Sequence, residues 1–130
     1  MSTRCNVIIK NATERVQMYH HHDGYPDGVG QDLEEYFKEL EKEEVAHTPA
    51  AIADYLCADE RQDEYEREAE TTHLHGDIEY LYVIDLDDDT INCRKVWLWD
   101  IEASDDDVIA GAIDGTKECQ VEYVKHIEWK

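Results

Sequence analysis

The hydrophobic period of this chain first changes at one place, and that place limits how the chain can fold. Up to His22, apolar and polar residues alternate with the two-residue period of a strand. From Val29 onward, apolar residues recur at three-to-four spacing, the period of a helix with one buried stripe. Between the two lies His20-His21-His22-Asp23-Gly24-Tyr25-Pro26-Asp27-Gly28-Val29-Gly30. The chain must therefore pass from sheet to helix through one turn. Its glycines, Gly24 foremost, are expected to supply positive φ angles. Tyr25-Pro26 is expected to fix an extended step.

The remaining elements follow from the same two periods. Residues 4–10 read as a strand with Cys5, Val7 and Ile9 on one face. Asn11-Ala12-Thr13 is a turn, and residues 14–22 form the return strand. Val29, Leu33, Tyr36, Phe37 and Leu40 predict a helix from about Gly30 to Val45. Thr48-Pro49 starts a second helix, with Thr as N-cap and Pro in the first helical position. The stretch Asp59 to Glu70 is acidic, with only Tyr65 and Ala69 apolar, and reads as a solvated segment. Residues 76–86 alternate on both faces, as a central strand does. Asp87-Asp88-Asp89 is a turn and residues 90–99 a return strand. Ser104 to Asp107 caps a short helix through Ile113, and residues 118–129 alternate again. The expected architecture is one α+β domain over residues 1–130. Its order is ββααββαβ, with a largely antiparallel sheet and the helices packed on one side.

Charge excludes several classes of function. There are 33 acidic against 12 basic residues, a formal net of −21, so phosphate backbones and anionic membranes are repelled. No apolar run approaches the roughly 20 residues of a membrane span. The first residues do not resemble a signal peptide, so a cytoplasmic setting is expected. Cys5, Cys57, Cys93 and Cys119 are spread without a C-x-x-C pair and read as reduced core residues. Three uses of the acidity remain: solubility or adaptation to a salty environment; attraction of basic partners; and, as a special case of that, imitation of nucleic acid, with carboxylates standing where phosphates would.

The N-terminal third carries a resemblance. Thr3-Arg4, a short apolar strand, a polar turn, then Tyr19-x-His21-x-Asp23-Gly24-Tyr25-Pro26 with Gly30 and Leu33 resemble a group of small phage and mobile-element proteins. Their pattern is roughly T-R-x-x-I, Y-x-H-W-D-G-Y, then N-G and a leucine. This chain has His22 in place of the Trp and Val29-Gly30 in place of Asn-Gly. The resemblance implies a phage-type protein in the cytoplasm of a host cell and implies little chemistry.

Candidate sites are of two kinds. His20 and His22 share a strand face, as do His73 and His75; if the pairs met, four imidazoles would stand at zinc-like spacing. His21 with Asp23 is the alternative, a carboxylate-oriented imidazole for general-base chemistry. No nucleophile signature accompanies either, so the leading reading is a binding protein without a cofactor. Asp85, Asp87 and Asp89 lack the Gly and Glu of a calcium loop and read as a hairpin turn. The expected partner surface comprises Glu34, Glu35, Glu39, Glu41, Glu43 and Glu44, then Asp59, Glu60, Asp63 and Glu64, with His21, Asp23 and Tyr25 at the turn. The expected partner is a basic host protein that itself binds nucleic acid, for instance a defence nuclease of the CRISPR type. The chain would then act as an inhibitor and DNA mimic, an anti-CRISPR. The alternative is a metal-dependent or His–Asp enzyme centred on the turn.

Overall fold

The computed structural model describes residues 3–39, 46–58, 65–68, 78–96 and 122–128. Strands β1 (Arg4–Lys10) and β2 (Arg15–His20) form the expected hairpin. Asn11 makes the turn: its side-chain oxygen accepts from the backbone N–H of Thr13 at 2.9 Å and of Glu14 at 2.8 Å. Helix α1 spans Gln31–Lys38 and α2 spans Pro49–Leu56. Strands β3 (Tyr65–Arg67), β4 (Ile78–Asp85), β5 (Thr90–Lys95) and β6 (Glu122–Glu128) complete the described elements.

The six strands form one sheet in the order β3-β2-β1-β4-β5-β6. The α+β class stands, and four of the five strand pairings are antiparallel. The fifth is not: β1 runs parallel to β4. A parallel neighbour needs a long crossover, and here the connection contains β2, both helices and β3.

The expected order ββααββαβ is corrected by β3. The acidic stretch read as solvated contains a strand, because Tyr65, Glu66 and Arg67 pair with His20, Tyr19 and Met18 of β2. Tyr65 is buried there, and Arg67 forms an ion pair with Asp54 of α2. The helix expected between Ser104 and Ile113 lies outside the described residues.

The first helix is also shorter than its period predicts. Glu39 has φ −104° and ψ 9° and ends α1; residues 40–45, expected to continue it, lie outside the described residues. Leu33, Tyr36 and Phe37 are buried as the apolar stripe requires. Thr48 caps α2 as expected, accepting from the Ala51 N–H at 3.2 Å, with Pro49 in the first turn.

Both faces of the sheet are buried. One carries Cys5, Val7 and Ile9 of β1 with Tyr82 and Ile84 of β4, and both helices pack on it through Leu33, Phe37, Ile52 and Leu56. Tyr36 and Tyr55 stack at 5.5 Å and join α1 to α2. Ile8, Leu81 and Val83 point the other way and are also buried, together with the polar Asn6 and Gln17. Each fully buried aliphatic side chain contributes about 1.5–3 kcal/mol. The Asn6 amide, buried in the centre of this second face, donates to the Met18 carbonyl at 2.9 Å. It thereby avoids the cost of an unpaired polar group.

Candidate functional site

The turn between β2 and α1 is built on the sheet beneath it. Gly24 is the point of attachment. Its N–H donates to the Thr3 carbonyl at 2.9 Å, and its carbonyl accepts the Tyr82 hydroxyl at 2.7 Å. Tyr82 rises from β4 through the core, where burial first, then the neighbouring Cys93 and Cys5, push its phenol well above the ordinary tyrosine range. From Pro26 to Gly30 the chain makes a widened π-type helical turn that leads directly into α1. The Val29 N–H closes it by donating to the Asp23 carbonyl at 2.7 Å, and Gly28 N–H donates to Tyr25 at 2.9 Å.

The backbone assignment within the turn differs from expectation. Asp23, not Gly24, holds the positive φ, 54°. Aspartate tolerates this region better than most side chains. Gly24 is glycine because of a close approach. A Cβ there would lie 2.9 Å from the Cys5 Cβ and 3.0 Å from the Thr3 carbonyl. Gly28 faces a harder constraint, since its Cβ would meet the Asp23 carbonyl oxygen at 2.2 Å.

The histidines divide between core and surface. His20 ends β2 opposite Cys5 on one side and Tyr65 on the other, and is buried. Its Nδ1 is hydrogen-bonded to the His22 carbonyl, so that nitrogen carries the proton. Its ring lies 4.8 Å from Tyr65 and 5.2 Å from His22. Thus the His20 and His22 rings adjoin, but across the bend that follows β2 and not on one strand face, since the strand ends at His20. His73 and His75 lie outside the described residues. Among the described residues no group of three or more His, Cys, Asp or Glu side chains is placed to hold a metal ion.

The expected His21–Asp23 pair does not form. His21 is exposed and meets Glu66 of β3, Nε2 to Oε1 at 2.9 Å, while its ring stands edge-on to Tyr19 at 4.7 Å. Asp23 turns to Tyr25 instead and accepts its hydroxyl proton at 3.2 Å. Sequence reading missed Glu66 because it lies 45 residues from His21 and reaches it only through the β2–β3 pairing.

The partner-surface residues are partly in view. Glu35 is exposed and accepts from the Gln31 side chain at 3.1 Å. Glu39 is exposed at the end of α1. Glu34 is half-buried and already paired with Lys38 at 3.1 Å. Asp23 and Tyr25 are exposed at the turn. Glu41, Glu43, Glu44, Asp59, Glu60, Asp63 and Glu64 lie outside the described residues.

Comparison with protein-family models, with curated proteins and with solved structures found no match. The chemistry therefore rests on these side chains alone. At the hairpin between β4 and β5, Asp85 is committed to structure: it accepts from the Asp87 N–H at 2.9 Å and takes Lys10 at 2.9 Å. That is the arrangement of a capped hairpin turn, as the missing calcium ligands implied. Among the described residues no helix is long and apolar enough to cross a membrane.

Proposed function

We propose that this chain is an acidic binding protein of phage or mobile-element type, acting in the cytoplasm of a host cell. Its negative surface engages a basic groove on a protein that itself binds nucleic acid, such as a defence nuclease, and blocks it as a nucleic-acid mimic. One observation carries the reading: 33 acidic residues face only 12 basic ones. Of those few bases, Lys10, Lys38 and Arg67 are spent on internal pairs with Asp85, Glu34 and Asp54. The self-repulsion left over destabilises the compact state, and a basic partner relieves it while gaining long-range steering.

The experiment is a salt titration against the partner recovered from host lysate. Glu35→Lys with Glu39→Lys should leave the fold intact, because both side chains are exposed and neither holds a basic group among the described residues. Affinity should fall for this variant, and wild-type affinity should drop steeply with salt. Equal affinity in the variant, or binding indifferent to salt, refutes the reading. Glu34→Lys is a poorer probe, since it replaces an i,i+4 ion pair with a repulsive Lys–Lys pair.

A further inference from the structure

Among the described residues, one large apolar side chain is presented to solvent, and its place is fixed. Tyr25 is the exposed large apolar side chain among the described residues, at 40% exposure. Its position is set by its neighbours. Gly24, before it, is tied to Thr3 and to Tyr82; its own carbonyl accepts from Gly28; Pro26, after it, begins the π turn. The phenol is held in turn by Asp23. An exposed ring on a backbone already ordered by the core loses little freedom when it is covered, which is the character of an interface anchor.

The charges beside the ring indicate what covers it. Asp54, Glu66 and Asp85 each meet a basic or imidazole group. Asp23 and Asp27 flank Tyr25, both exposed, and neither has an ion-pair partner among the described residues. A lysine ammonium suits the carboxylates but is compact and strongly hydrated. A planar guanidinium lies flat on a phenol ring and still donates sideways to carboxylates. We propose that Tyr25 anchors the binding surface by taking an arginine side chain of the partner against its ring, with the carboxylates of Asp23 and Asp27 beside it. The proposal rests on the acidic-surface reading above.

The test compares octa-arginine with octa-lysine, two peptides of equal charge, binding the full chain at low salt. Wild type should bind the arginine peptide about threefold more tightly, the scale of an exposed cation–π contact. Tyr25→Leu should bind both peptides equally, and Tyr25→Phe should keep the preference. In wild type the Tyr25 ring proton resonances should shift more with the arginine peptide than with the lysine peptide. Equal binding of the two peptides by wild type, or a preference that survives in Tyr25→Leu, overturns the anchor and leaves the acidic surface standing. Failure of wild type to bind either peptide at low salt refutes the acidic surface itself, and the anchor with it.

Discussion

The Tyr82 hydroxyl donates to the Gly24 carbonyl at 2.7 Å, joining residues 58 apart in sequence. Both groups are buried, so the bond fixes the turn to the sheet at a site where water offers no substitute. Tyr82→Phe should therefore cost about 1–3 kcal/mol, the penalty of a buried carbonyl left without its donor. Urea denaturation at constant m-value is the measurement. A change below a few tenths of a kcal/mol would mean that the phenol does not hold the turn.

The two neighbouring turn residues should differ in their response to substitution. Gly24→Ala forces a methyl to within 2.9 Å of the Cys5 Cβ and should destabilise by about 1–3 kcal/mol. Asp23→Gly removes a side chain from a positive-φ position and should stay within about 0.5 kcal/mol of wild type. Chemical denaturation of both variants reads the contrast. If Asp23→Gly is the damaging change, the turn is not built around the close approach at Gly24.

The helix start at Thr48 is a third site. Its hydroxyl accepts from the Ala51 N–H, so Thr48→Ala should lose about 1 kcal/mol and Thr48→Ser much less. Thermal melts of the two variants should rank in that order.

The Lys10–Asp85 pair sets a pH dependence. Partial burial pushes the Asp85 carboxyl up, but the Lys10 hydrogen bond, the backbone N–H groups of Asp88 and Asp87, and the Lys10 charge hold it below its ordinary value. A carboxyl lowered by folding binds its proton less readily folded than unfolded. Its stabilisation is complete above the ordinary carboxylate range and is lost as pH falls through the lowered value. Asp85→Asn should be less stable than wild type near neutrality, with the difference shrinking at strongly acidic pH. Denaturation curves across that range decide it; a difference that grows on acidification contradicts the pairing.

The thiols give a readout of local opening. Cys57 is half-buried with its thiol pushed up to about 11, burial outweighing the nearby Arg67. Cys5 is buried and pushed up further by burial and by Cys93. At mildly alkaline pH, alkylation of the native protein should reach Cys57 slowly. It should reach Cys5 and Cys93 only through unfolding. Peptide mapping after timed labelling should show that order.

What could be read from the sequence was local. Alternation around Val7 and Tyr82 located β1 and β4, and Thr48-Pro49 located the start of α2. Asn11 and Asp85 identified hairpin turns by side-chain chemistry that operates over two or three residues. What escaped was made by pairing across long separations. Three residues within the acidic stretch, Tyr65–Arg67, have no strand signal of their own; β2 makes them a strand. The reason for glycine at position 24 is a contact with Cys5, which no local pattern reveals. His21 was matched to the nearest carboxylate in sequence, and the fold supplied Glu66 instead.

The parallel pairing of β1 with β4 has a consequence for synthesis. β1 and β2 pair across a short turn, a contact local in sequence, but the other edge of β1 must wait for residues 78–85. Until then the nascent chain presents Val7, Ile8 and Ile9 along an open strand edge, a template for other chains. The carboxylates between residues 20 and 78 are made in that same interval, and like charge opposes association of such chains while the edge is open.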